Sequence, residues 1–131
     1  MSYQAWLDKA TENLTAAQLC LDHGLFNACA NRLYYAMFHA GAAALLKNGF
    51  KPASEKIGHE WLQSNFSGQL IHRRKIFSGK FRPFINDAYW LRVAADYKAD
   101  FVARKTVLRQ LERAKEFIHA IKQELSYDAQ S

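Results

Sequence analysis

The chain has 131 residues, half of them hydrophobic and 14% aromatic, which suits one well-buried domain and excludes a disordered or collagen-like chain. Formal charge is +6 with a sequence pI near 9.4. No run of about 18 apolar residues occurs. Asp8, Lys9 and Glu12 also interrupt the N-terminal stretch where a signal peptide carries its apolar core, so a soluble, cytoplasmic protein without a membrane span is expected.

The first predicted element is "YQAWLDKATENLTAAQLCLDHG", with apolar or small residues at Trp6, Leu7, Ala10, Leu14, Ala17 and Leu21. That spacing of three and four marks an amphipathic helix ending at Gly24. A second helix runs from about Leu25 to Lys47 and stops at Asn48-Gly49, ahead of Pro52. It is apolar nearly all round, so it reads as the central helix, and the short break before it predicts an antiparallel hairpin. "PASEKIGHEWLQSNF" predicts a short third helix with Ser54 as N-cap. The following "SGQLIHRRKIFSGKFRPF" reads as a loop-rich basic connection with room for a helical turn and with breaks at Ser-Gly pairs and Pro83. Helical spacing resumes from about Phe84 to Tyr97. The final helix carries a stripe of Leu108, Leu111, Ala114, Ile118, Ile121 and Leu125. No segment alternates with a period of two. The expected fold is all-α, a four- to five-helix up-and-down bundle, in a single domain over 1–131 with its core at about 5–125.

Several chemistries lack their residues. The six glycines form no dinucleotide or P-loop phosphate cradle, no serine nucleophile elbow is present, and the five histidines lack the HExxH spacing of a zinc site. No cofactor and no metal are therefore expected. Cys20 and Cys29 form no ligand pattern and read as free thiols rather than a disulfide.

What stands out is "NRLYYAMFHAGAAALL", where Arg32 and His39 leave the central helix on one face, seven residues apart. An imidazole can take and give a proton near neutrality, and a guanidinium forks onto phosphate oxygens. Together they suit attack of an RNA 2′-hydroxyl on its own phosphodiester. Their backbone positions are about 10.5 Å apart along the axis at roughly 1.5 Å per residue, long for one phosphate on one helix. A two-fold dimer apposing this helix with its copy would bring in a second Arg and His. The same residues also fit the polar seam of an ordinary bundle.

Around the pair, Asn31 precedes the arginine and Tyr35 projects close to the same face, whereas Tyr34, Met37 and Phe38 read as packing residues. Arg92 and Asp96 are spaced to pair on one helix, with Tyr97 beside them, as a scaffold or a substrate contact. Arg73, Arg74, Lys75, Lys80 and Arg82 fall in a stretch without acidic residues, among Ile76, Phe77 and Phe81. Such a mixture suits RNA by charge and stacking, and equally an acidic partner protein.

The run "ACANRLYYAMFHAGAAALL" (28–46), a short helix opening near His59 and "LRVAADY" (91–97) before a last amphipathic helix together resemble the HEPN superfamily. The order is also similar to its small stand-alone branch, often encoded beside a minimal nucleotidyltransferase. The resemblance implies a helical bundle that dimerises. In many members it implies a metal-independent endoribonuclease whose motif is an arginine, four to six residues, then a histidine. Arg32 and His39 match that motif as catalytic residues, in a toxin or defence component controlled by a separately encoded partner, an antitoxin or the nucleotidyltransferase. The alternative is a non-catalytic module that binds the nucleotidyltransferase or a nucleotide. Two positions depart from the pattern. Leu33 stands where nuclease members often have a polar residue, and Gly41 stands where some toxin members carry a modifiable tyrosine.

Overall fold

A computed structural model describes residues 2–130, with side chains described as far as Ser126. Five α-helices form: α1 (Tyr3–Asp22), α2 (Phe26–Lys47), α3 (His59–Asn65), α4 (Phe84–Tyr97) and α5 (Arg104–Gln130). There is no strand among the described residues, and the protein is an all-α bundle of the expected kind. Nor is any helix among them long and apolar enough to cross a membrane.

The Ser2 side chain caps α1 by accepting from the Ala5 amide. Gly24 and Gly49 end the first two helices at φ +72° and +87°, left-handed values that a side chain resists. The turn at Gly24 folds α2 back along α1. Tyr3 meets Lys47, Trp6 meets His39 and Asn13 meets Arg32, so contacts run in opposite directions along the two helices. α4 runs antiparallel to α2 by the same test, with Ile85 against Gly41, Tyr89 against Tyr34 and Asp96 against Asn31. Close approach is possible there because position 41 has no side chain. A Cβ added to Gly41 would meet Ile85 Cδ1 at 3.3 Å and Leu62 Cδ1 at 3.5 Å.

α2 is central, as its apolar circumference implies: Leu33, Met37 and every residue from Ala40 to Leu45 are buried. The α5 stripe closes the core through Leu111, Ala114, Ile118, Ile121 and Leu125, joined by Val107 and Phe117, while Leu108 is only partly buried. Both cysteines are free thiols, and burial pushes the Cys29 thiol up to about 11.

One expectation is corrected and a second is extended. Ser54 is not a helix N-cap: its hydroxyl bonds the Lys56 carbonyl within an irregular stretch, and α3 begins only at His59 after extended Gly58. The connection after α3 is also more ordered than its Ser-Gly pairs suggest. Residues Phe66–Arg73 continue as a π-helical segment, whose wider winding buries Phe66, Leu70 and Ile71. A 3₁₀ turn at Gly79–Phe81 then leads into α4.

Gln110 on α5 is 5% exposed, and its Oε1 is buried without a hydrogen-bond partner among the described residues. An orphaned buried acceptor costs about 1–3 kcal/mol. Gln110→Met, of similar length without the amide, is expected to raise stability by about 1 kcal/mol in urea unfolding. A comparable loss would mean that the oxygen has a partner.

Candidate functional site

The buried face of α1 consists of Leu7, Ala10, Asn13, Ala17 and Leu21, an apolar stripe with one amide in it. Asn13 is 8% exposed and faces α2 between Arg32 and His39. Arg32 Nη1 donates to Asn13 Oδ1 at 2.8 Å. Its Nε donates to Asn31 Oδ1 at 2.9 Å, and its Nη2 reaches the same oxygen. Asn31 Nδ2 donates in turn to Asp96 Oδ2 at 2.9 Å, and Arg92 Nε reaches that carboxylate oxygen at 3.2 Å. One polar chain thus ties α1, α2 and α4 together.

His39 closes the other end of it. Asn13 Nδ2 lies 3.1 Å from His39 Nδ1 and donates to the Lys9 carbonyl at 3.0 Å. The imidazole packs against Trp6, with ring centroids 5.2 Å apart, and near Tyr35 at 6.1 Å. Burial, with the positive charges of Lys9 and Arg32, brings the His39 pKa down to about 4. His39 is therefore neutral at pH 7, in a half-buried pocket one amide away from a permanent cation.

Tyr35 lies between two guanidiniums, 5.3 Å from Arg32 and 5.4 Å from Arg92, so its ring face stabilises both charges. Tyr34 points inward instead. Its hydroxyl is 3.0 Å from His59 Nδ1, and His59 stacks on Tyr89 at 3.9 Å, with Asn86 Oδ1 3.3 Å from His59 Nε2. Burial is the main cause that raises the Tyr34 hydroxyl pKa and lowers that of His59. Outside this cluster His59, Trp61, Asn86, Tyr89 and Trp90 line an open groove of about 640 Å³.

The structure therefore brings Arg32, His39, Asn31, Tyr35, Arg92 and Asp96 into one region. Tyr97 stands at its rim, 72% exposed and 5.9 Å from Arg92. Arg73, Arg74, Lys75, Lys80 and Arg82 are all exposed and make no hydrogen bond to this network. They precede α4, at the end remote from Asp96, which is about 20 Å away at 1.5 Å per residue. Lys80 pairs there with Glu116, and Arg74 covers the Phe50 ring at 4.7 Å. Sequence reasoning missed Asn13, which joins the two singled-out residues. Its signal is positional: an amide on the buried stripe of α1, between Ala10 and Ala17. Among the described residues no group of three or more His, Cys, Asp and Glu is placed to hold a metal ion.

The lowered His39 pKa sets the sign of a pH effect. The unfolded chain takes a proton at the ordinary histidine value of about 6.5, which the folded chain refuses until about pH 4, so stability falls as pH drops through that window. His59 acts in the same direction. Urea midpoints between pH 7 and 4 are expected to fall for the wild type and to fall less for His39→Gln. Parallel curves for the two proteins would show that His39 titrates normally when folded.

A family model described as the HEPN domain matches residues 3–125. A protein of Methanocaldococcus jannaschii named "Putative toxin MJ0605" is 29% identical over 122 residues, covering 93% of this chain and 87% of its own. The "UPF0332 protein glr0978" of Gloeobacter violaceus is 33% identical over 94 residues, 72% of this chain and 71% of its own. A second M. jannaschii protein, "Putative toxin MJ0142", is 27% identical over 99 residues, 76% of this chain and 64% of its own. With a match spanning nearly the whole described bundle, the chain belongs to the HEPN family.

Proposed function

We propose that this HEPN protein is a metal-independent endoribonuclease that acts as a toxin or defence component, held in check by a separately encoded partner. The observation that carries the reading is the direct linkage of Arg32, Asn13 and His39 in one half-buried site. Arg32 has five N–H donors, of which three hydrogen bonds to Asn13 and Asn31 are accounted for. Two N–H groups therefore remain to fork onto phosphate oxygens, on a guanidinium already held in place.

In the proposed reaction the 2′-oxygen attacks the adjacent phosphorus and the bond to the 5′-oxygen breaks. The proton leaving the 2′-hydroxyl is taken up by His39, and a proton is returned to the departing 5′-oxygen. The products are a 2′,3′-cyclic phosphate and a 5′-hydroxyl. Arg32 stabilises the extra negative charge at phosphorus, with Arg92 adding positive potential from α4.

The names of two relatives support the toxin reading, and a toxin calls for an antitoxin-like partner, which the minimal nucleotidyltransferase would supply. Exposed apolar side chains gather at the same end of the bundle as Arg32. They are Leu19 and Leu25 beside the α1–α2 turn, and Tyr97 and Phe101 beside the α4–α5 link, which Asn27 joins to α2 by accepting from the Val102 amide. They suit a homodimer contact or a partner contact beside the site. The exposed basic segment before α4 is a second place for RNA or for an acidic partner.

The test is cleavage of a mixed-sequence RNA by purified protein in chelator. Wild type is expected to leave 2′,3′-cyclic phosphate ends. His39→Ala and Arg32→Ala, shown to be folded by circular dichroism, are expected to lose about 100-fold or more in rate. Intact RNA with partner-free wild type would overturn the catalytic reading and leave a module that binds the nucleotidyltransferase or a nucleotide.

A further inference from the structure

Asn13 belongs to no motif, yet among the described residues it is the only side chain bonded to both Arg32 and His39. A guanidinium can only donate, so the Asn13 atom facing Arg32 Nη1 at 2.8 Å must be the oxygen. The amide nitrogen then faces the other way, where its two hydrogens meet two groups, the Lys9 carbonyl at 3.0 Å and His39 Nδ1 at 3.1 Å. Because a carbonyl can only accept, the Lys9 contact requires the same amide orientation. Two independent partners thus fix which way Asn13 points. His39 Nδ1, facing an N–H, has to accept, and the ring proton of the neutral imidazole sits on Nε2.

Nε2 makes no hydrogen bond to the described residues, and Gln110 Oε1 is the sole side-chain nitrogen or oxygen among them that is both buried and unpartnered. Nε2 is therefore not fully enclosed, as an atom that meets substrate must not be. We propose that Asn13 is a positioning residue that reads the orientation imposed by Arg32 and fixes His39 in the Nε2–H form, so that the free protein offers substrate a hydrogen-bond donor there.

The consequence for the proposed cleavage is specific, and it rests on that reading. An Nε2 that carries the proton can donate to a phosphoryl oxygen but has no lone pair with which to take the 2′-hydroxyl proton. Base action at Nε2 needs the proton moved to Nδ1, and Nδ1–H would then confront the Asn13 N–H. Relief comes only if the amide rotates and gives up its bonds to both Arg32 and Lys9. Arg32, which a phosphate engages through its two remaining N–H groups, is the anchor of one of these bonds. Phosphate binding and base competence are therefore coupled through one amide. The charged groups facing His39 are Lys9 on α1 and Arg32 on its own helix, and both oppose a second ring proton.

Asn13→Asp tests the assignment. A carboxylate accepts from both sides, so it keeps Arg32 but invites a proton onto His39 Nδ1. ¹⁵N-detected NMR of the wild-type imidazole at pH 7 is expected to show a protonated Nε2 and a bare Nδ1 at His39. In Asn13→Asp the Nδ1 signal is expected to become protonated, and the His39 midpoint to rise by at least about one pH unit, tenfold in proton affinity. The acid limb of RNA cleavage should move upward with it. If Asn13→Asp does not fold, Asn13→Ala replaces it: with the amide N–H that faces Nδ1 removed, the His39 tautomers should mix. A protonated Nδ1 in the wild type, or a tautomer indifferent to both substitutions, overturns the proposal. If the tautomers behave as stated and no RNA is cut, the positioning role stands and the ribonuclease reading falls.

Discussion

Arg32 brings a permanent positive charge into the seam between α1 and α2, where most neighbouring side chains are apolar and water is partly excluded. A charge so placed has to be met by acceptors, because leaving it unpaired would cost several kcal/mol. The acceptors are amide oxygens on two different elements, Asn13 on α1 and Asn31 beside it on α2, and Asn31 passes the link to Asp96 on α4. Hydrogen bonds to a charged group contribute about 1.5–3 kcal/mol each. Satisfying one guanidinium therefore fixes the register of α1 and α4 against the central helix.

The choice of amides over carboxylates has an electrostatic result. Arg32 is hydrogen-bonded without being neutralised, and the nearest carboxylate in the chain of bonds, Asp96, is shared with Arg92. Two guanidiniums and one carboxylate leave a surplus of positive charge at the surface, with Lys9 adding to it from α1. Tyr35 lies between the two guanidiniums and compensates both without cancelling either. Such a surplus favours an anion, and it adds to burial in keeping His39 neutral. The polar seam and the candidate site are thus one arrangement, and its structural role does not compete with a catalytic one.

Much of this could be read from the residues. Apolar spacing located α1, α2, α4 and α5, and Gly24 and Gly49 marked turns because the backbone takes positive φ at both. Arg32, His39 and the Arg92–Asp96 pair were recognisable as polar residues spaced to share a helix face. Ser54 misled because a hydroxyl before a helical pattern resembles a cap wherever the helix really starts, and the chain stays irregular to Gly58. Ser67-Gly68 misled for the opposite reason, since burial of Phe66, Leu70 and Ile71 carries the π segment through a local break signal. Asn13 stayed hidden because its importance lies in contacts to another helix. Within its own helix it is one polar residue among several, and only the α1–α2 register shows that it stands between a cation and an imidazole.

That Asn13, Arg32 and Asn31 act as one unit is tested most directly by a double-mutant cycle in urea, with Asn13→Ala and Asn31→Ala alone and together. Both amides hold the same guanidinium, so the account predicts a coupling energy on the order of 1 kcal/mol, which disappears when the cycle is repeated on Arg32→Met. Additive losses, within about 0.3–0.5 kcal/mol, would show that the two amides serve separate ends, and would contradict the account.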